Sequence, residues 1–198
     1  MISISDYIKN TTSFDFNNQL PWELSSRAKE LIEDALGKLD SGFVINGTVA
    51  IHKTAVVEQG VVLKGPIIIS QNCFVGAHAY LRGGVFLGEQ VSIGPGCEIK
   101  SSFIFSNSAL AHFNFVGDSI LGSHVNMEAG SIIANHYNER PEKEISVLIS
   151  NRPQKTGSTK FGALVGDQTK IGANAVLSPG TLLRPNTVVG RLALICQV

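Results

Sequence analysis

The chain has 198 residues, enough for one domain with a substantial core and a short appendage. Hydrophobic residues make up 43% and charged residues 16%, which excludes disorder as the main state. Lys plus Arg equals Asp plus Glu, 16 against 16, so a general affinity for nucleic acid or for an anionic membrane is not expected. No apolar run reaches the ~18–20 residues that span a bilayer. The opening residues mix Asp6, Lys9 and Asp15 with apolar side chains, unlike a secretion signal. Cys73, Cys97 and Cys196 are an odd number at no metal-ligand spacing and predict reduced thiols in a cytoplasmic protein.

Residues 1–41 predict an N-terminal helical segment. Pro21-Trp22 opens a helix with Leu24, Ala28, Leu31, Ile32, Ala35, Leu36 and Leu39 on one face. With Phe14 and Phe16 it is expected to form a short α-helical cap over the open end of the element that follows. A helix lying on the side of that element is the alternative.

Residues 42–198 carry a six-residue period. Steps of six from Ile45 land on Ile51, Val57, Leu63, Ile69, Val75, Leu81, Leu87, Ile93, Ile99 and Phe105. Neither the helix period of 3.6 nor the strand period of 2 yields this. It fits an all-β solenoid, a parallel β-helix in which three hexads close one triangular coil. Residues 18 apart then stack at about the 4.8 Å strand spacing. Ile51, Ile69 and Leu87 form one interior column, and Leu63, Leu81 and Ile99 another. Cys73 and Cys97 fall at small inward positions and read as buried structural thiols. The period slips to five between Val116 and Leu121, breaks at about 135–162, and resumes as Val165, Ile171, Leu177, Leu183 and Val189. An excursion of that length in a regular solenoid points to function. Its Arg140, Lys143, Arg152 and Lys155 either close over a ligand or form a solvated flap.

Arg82 and Lys100 are 18 apart, each one position after an inward residue, so they stack on one corner. Stacked cations repel unless an anion sits between them. A surface ladder paired with Glu89 or Glu98 is the competing reading. His112 lies two corners past Lys100, hence one corner back, so the two bound one prism face about 15 Å wide. His112, His124 and His136 are 12 apart but fall on different corners, so no metal site is expected.

These hexads resemble those of the hexapeptide-repeat acyltransferases, whose parallel β-helix is left-handed. The stretch from Arg82 to Asn135 is similar to the acetyltransferase domain of the bifunctional glucosamine-1-phosphate acetyltransferase/N-acetylglucosamine-1-phosphate uridyltransferase family. The shared pattern is Arg82, Lys100 and His112, then Val116-Gly117-Asp118, then Asn126-Met127-Glu128-Ala129-Gly130 and Asn135. Thr156-Gly157 and Lys160-Phe161-Gly162-Ala163 resemble the C-terminal domains of archaeal-type sugar-phosphate nucleotidyltransferases. The His spacing of the γ-class carbonic anhydrases, which share this helix, is absent.

The resemblance implies a homotrimeric N-acetyltransferase that takes acetyl-CoA as co-substrate, holds no tight cofactor and acts on an amino-sugar 1-phosphate. It implies His112 as general base, Arg82 and Lys100 on the phosphate, and Phe115, Asn126 and Asn135 about the sugar or the acetyl carbonyl. His136, Ala173 and Arg191 fall where the family meets the acyl donor. The chain departs from the family at several of these places. Phe115 and His136 replace tyrosines, Ala173 replaces a serine beside the thioester, and Arg191 replaces a small residue. Asn126 and Asn135 are also ordinary corner residues, because Asn tolerates the left-handed region. Forty residues before the solenoid hold no nucleotidyltransferase domain, so uridyl transfer is not expected of this chain. The alternatives are acyl transfer to another sugar or a sugar nucleotide, or a non-catalytic sugar-phosphate-binding subunit.

Overall fold

The computed structural model describes residues 2–11, 14–16 and 18–198. The hexads fold as expected into a three-sided parallel β-solenoid, consistent with the left-handed β-helix. Face 1 carries Val49–His52, Ile67–Ile69, Val85–Leu87, Ser102–Ile104, Ile120–Leu121, Ala163–Val165 and Thr181–Leu183. Face 2 is a seven-stranded parallel sheet from Val56–Val57 to Val188–Val189. Face 3 runs from Val62–Lys64 through Tyr80–Arg82, Glu98–Lys100 and Phe115–Gly117 to Leu194–Ile195.

Inside the prism the columns stack in register. Ile51, Ile69 and Leu87 continue as Ile104, Leu121, Val165 and Leu183. Leu63, Leu81 and Ile99 continue as Val116, Ile133, Leu177 and Ile195. Burying each such side chain stabilises by roughly 1.5–3 kcal/mol before the entropy of ordering. Cys73 and Cys97 are buried in the same core; desolvation pushes the Cys73 thiol up to about 11 and the Cys97 thiol up as well.

The corners explain the residues between the hexads. At the turn from face 1 to face 2, Asn72, Gln90, Asn107, His124, Gln168 and Asn186 all have φ between 56° and 62°. That left-handed region is easiest for Gly and Asn.

The register differs from the sequence reading in two places. Ile45 is not inward: it is 50% exposed on Phe43–Asn46, a strand antiparallel to Val49–His52 that ends the sheet. Phe105 is not inward either; Ile104 takes that place. The coil shortens between Arg82↔Lys100 and Val85↔Ser102, where Gly83-Gly84 face Ser101 alone. Both glycines have positive φ, 73° and 95°. A Cβ on Gly84 would lie 2.5 Å from the Lys29 amide nitrogen, so the bulge also lets a helix approach.

That helix corrects the expected cap. Helices α1 (Pro21–Ser26) and α2 (Ala28–Leu36) lie along face 1, not over the end of the solenoid. The outer side chains of face 1 explain why. Ala50, Ile68, Phe86, Phe103, Ile120, Leu164 and Leu182 are apolar and buried in one cluster with Trp22, Leu24, Ala28 and Ile32. Phe14 and Phe16 meet the Phe103 ring edge-on at 5.0 and 5.3 Å.

The excursion leaves from the corner between faces 3 and 1 and is pinched at its base, where the Phe161 amide donates to the Asn135 carbonyl. It contains an antiparallel hairpin, Ser146–Ile149 with Arg152–Lys155. Ile145 and Val147 are fully buried in the face 1 cluster. Lys155 pairs with Glu144 at 2.7 Å, and the Arg140 guanidinium lies 3.6 Å from the centre of the Tyr137 ring. The hairpin therefore extends the covering of face 1.

Gly94 and Gly190 occupy the same position on face 2, several coils apart. A Cβ on Gly94 would run into the Ala111 carbonyl oxygen, whereas one on Gly190 meets nothing within 4 Å. Gly94→Ala is expected to cost about 1–3 kcal/mol of stability, and Gly190→Ala less than about 0.5. Denaturant melts of the two variants measure the contrast.

Candidate active site on face 3

Among the described residues, face 3 lacks the covering that buries face 1, and its two edges carry different chemistry. Along the edge shared with face 1, Lys64, Arg82 and Lys100 stand in register on successive coils. The sequence-predicted stacking of Arg82 on Lys100 is present. Neither cation is without a partner. Arg82 donates Nε and Nη2 to Glu98 Oε1 at 2.9 and 2.7 Å. Lys100 Nζ donates to Asp118 Oδ2 at 2.6 Å. The competing reading named Glu98 correctly for Arg82, but the partner of Lys100 is Asp118, one coil on. Tyr80 underlies the ladder, with Lys64 Nζ at 5.3 Å and the Arg82 guanidinium at 5.6 Å from its ring centre.

The same edge gathers Asn135 and His136. The Asn135 amide nitrogen donates to Asp118 Oδ2. Asn135 Oδ1 lies 3.1 Å from His136 Nδ1. Phe115 projects from the face itself, its Cα register partners being Glu98 and Ile132.

The opposite edge, shared with face 2, carries His112. Backbone hydrogen bonds run up this corner: Phe113 N to Pro95 O, Gly130 N to His112 O, Asn174 N to Ala129 O and Leu192 N to Ala173 O. His112, Ala129, Ala173 and Arg191 thus stack on successive coils. The His112 side chain is exposed, with the Phe113 ring edge-on at 6.0 Å. Glu128 organises the upper part of this corner. Its carboxylate accepts from the Ala173 amide at 2.9 Å and from Arg191 Nε at 2.8 Å and Nη2 at 3.1 Å. The Arg191 hydrogen bond, and after it the Ala173 amide, hold the Glu128 carboxyl at about 2, well below the usual carboxylate range.

The predicted residues therefore divide between two edges. Arg82, Lys100, Phe115, Asn135 and His136 gather at or beside the edge with face 1. His112, Ala173 and Arg191 share the edge with face 2. Since Gly117 pairs with Lys100, His112 stands five residues of extended chain from it, about 15 Å. His136 lies across face 3 from the corner of Ala173 and Arg191. Asn126 is outside this arrangement: it lies exposed on face 2, between Ala109 and Lys170. His112, His124 and His136 sit on three different corners, and the described residues hold no group of three or more metal-ligating side chains.

Asp118 and Glu128 carried no role in the sequence reading. Asp118 was legible in principle, being 18 residues past Lys100. Glu128 was not, because its partners Ala173 and Arg191 lie beyond the excursion, which hides the coil count.

A parallel β-helix of hexads, with paired cations on one edge of a bare face and an imidazole on the other, defines a hexapeptide-repeat protein with a polar site along its corners. Residues 63–151 match the family described as the GMPPB C-terminal domain. Over 179 residues the chain is 34% identical to the bifunctional protein GlmU of Methanococcus maripaludis and 32% identical to that of Methanocaldococcus jannaschii, covering 88% of this chain and 43% of each relative. The chain thus spans less than half the length of these curated relatives. Among solved structures, the acetyltransferase domain of PglB from Neisseria gonorrhoeae is 15% identical, with 88% of this chain and 71% of that one covered and a TM-score of 0.46. PerB from Caulobacter crescentus, solved in complex with CoA and GDP-perosamine, is 17% identical, with 71% and 50% covered and a TM-score of 0.35. No helix among the described residues is long and apolar enough to cross a membrane.

Proposed function

We propose that the protein is an acyltransferase that moves an acetyl group from acetyl-CoA to the amine of an amino-sugar 1-phosphate such as glucosamine-1-phosphate. The observation that carries this reading is the pair Arg82 and Lys100 on adjacent coils, at the edge of a face whose other edge presents His112. The similarity to bifunctional GlmU proteins supports it.

In this reading the sugar phosphate meets the Arg82–Lys100 edge. Arg82 is the more available cation, since it and Glu98 are each about one-third exposed, while Lys100 and Asp118 are 16% and 7% exposed. The guanidinium fork suits a phosphate. Phe115 and Asn135 line the sugar between the edges. The sugar amine attacks in its neutral form, its ammonium proton already lost to solvent, and His112 takes the second proton as the nitrogen bonds. The nitrogen bonds to the thioester carbonyl carbon, the carbon–sulfur bond breaks, and the leaving thiolate regains a proton from the imidazolium. A backbone N–H on the His112 corner is the natural donor to the transient oxyanion. His136, Ala173 and Arg191 bear on the acyl donor. The phosphate and the amine of such a sugar sit on adjacent carbons, so the face-wide gap between His112 and Lys100 is closed by the reach of the Arg82, Lys100 and His112 side chains together with the sugar, or by a second copy of the chain. A homotrimer accounts for the apolar side chains left exposed on faces 2 and 3, among them Val56, Phe74, Val188, Val62, Ile132 and Leu194.

One observation favours a second reading, with a different donor or a sugar nucleotide. The Ala173 amide, beside the expected thioester, is occupied by Glu128. Thiol release from acetyl-CoA separates the two. Glucosamine-1-phosphate outpacing other amino sugars and sugar nucleotides upholds the first reading. A preference for another acceptor or donor selects the second. Ligand binding with no thiol release from any donor contradicts both and leaves a binding subunit.

A further inference from the structure

We infer that Asp118 is the positioning residue of the sugar site: one buried carboxylate that fixes the Lys100 ammonium and the Asn135 amide relative to each other. This rests on the reading of face 3 as the amino-sugar site. The side chains of Asp118 and Lys100 are 7% and 16% exposed, with 2.6 Å between Nζ and Oδ2. Asn135, 6% exposed, donates to the same Oδ2 and passes its own carbonyl oxygen to His136 at 3.1 Å. The backbone holds the carboxylate still. The Asp118 amide donates to the Lys100 carbonyl at 2.8 Å, and its carbonyl accepts from the Gly162 amide at 2.9 Å.

The preceding residue makes the convergence possible. A Cβ on Gly117 would lie 2.7 Å from Asn135 Nδ2 and 2.9 Å from Phe115 Cζ. Only glycine lets that amide and that ring close over the strand. Lys100, Phe115 and Asn135, all assigned to substrate in the proposed reading, therefore meet at Gly117-Asp118. A carboxylate shielded from water is retained only where donors satisfy it. Here the donors are the groups that face the ligand. Asp118 also leaves Lys100 with little net charge to offer. Lys100 then meets the phosphate as a placed hydrogen-bond donor, while Arg82 beside it supplies the greater share of the charge.

The test is Asp118→Asn, which keeps the shape and removes the charge. Calorimetric binding of glucosamine-1-phosphate should weaken about 10–100-fold, with the hydrogen-exchange protection of the inward columns unchanged. A fold-wide effect would move both. Lys100→Met should abolish most of the Asp118→Asn effect in a double-mutant cycle, whereas His112→Ala should leave it whole. Unchanged sugar binding by folded Asp118→Asn, or additivity with Lys100→Met, overturns the inference. Should Asp118→Asn not fold, the Lys100→Met/Asn135→Ala cycle replaces it: coupling of the two in sugar binding upholds the inference, and additivity overturns it. Sugar-phosphate binding that depends on Asp118 without any acetyl transfer keeps this inference and sinks the catalytic reading. A wild-type protein that binds no amino-sugar phosphate sinks both.

Discussion

Replacing His112 by alanine is expected to lower acetyl transfer at least ~100-fold while leaving the melting temperature that of the wild type. The expectation follows from where the residue stands. His112 is exposed on a corner, and its contribution to the solenoid is its backbone carbonyl, which accepts from the Gly130 amide. Alanine keeps that bond. What is lost is an imidazole able to take a proton from the attacking amine. The fall should appear in kcat, with the KM for the sugar phosphate little changed, because Arg82 and Lys100 lie on the other edge. Steady-state thiol release measures it. Activity within a few-fold of the wild type would remove His112 from the chemistry.

The second large effect is structural. Phe103→Ala should destabilise the protein by about 3–5 kcal/mol, the range for truncating a buried aromatic. Phe103 is fully buried on the outside of face 1, where Phe14 and Phe16 meet its ring. Its removal leaves a cavity between the solenoid and the N-terminal segment, not within the prism. Hydrogen exchange should therefore rise first in α1 and α2, while the inward columns stay protected until global unfolding. Equal loss of protection in the columns and the helices would contradict this layering.

The prism was legible because its signal is local and repeated. Leu63, Leu81 and Ile99 sit at a constant spacing, and a coil that closes after three hexads has one way to bury them. The short coils were harder. One five-residue step, Val116 to Leu121, was visible; the other, Ile99 to Ile104, was hidden because Phe105 is also large and apolar. Phe105 belongs to a different layer, and so do Ile68, Phe86 and Phe103, which recur on the outside of one face only. That one-sided outer hydrophobicity was the sign that the helices cover a side. It is weaker than the inward period, since it appears once per coil instead of three times.

The site was legible to the extent that it depends on coil arithmetic. Arg82 over Lys100, and His112 across one face from them, follow from spacing alone. The carboxylates do not follow so simply. Glu98 reaches Arg82 diagonally across two strands, a matter of side-chain direction that the period does not specify. Glu128 finds Arg191 only after an excursion of unknown length is folded away. Asn126 shares a motif with Glu128, yet its outward direction on face 2 takes it from the face where Lys100 and Asn135 meet.

The central claim is that one sugar phosphate lies on face 3, with its anion at the Arg82–Lys100 edge and its nitrogen within reach of an imidazole from the same copy or a neighbouring one. A crystal structure with CoA and glucosamine-1-phosphate tests it most directly. The account predicts phosphate oxygens within hydrogen-bond distance of Arg82 and the amine nitrogen within reach of a His112 ring, from the same copy or a neighbouring one. A sugar phosphate seated on face 2, or against the helices of face 1, with His112 facing only solvent, would contradict it.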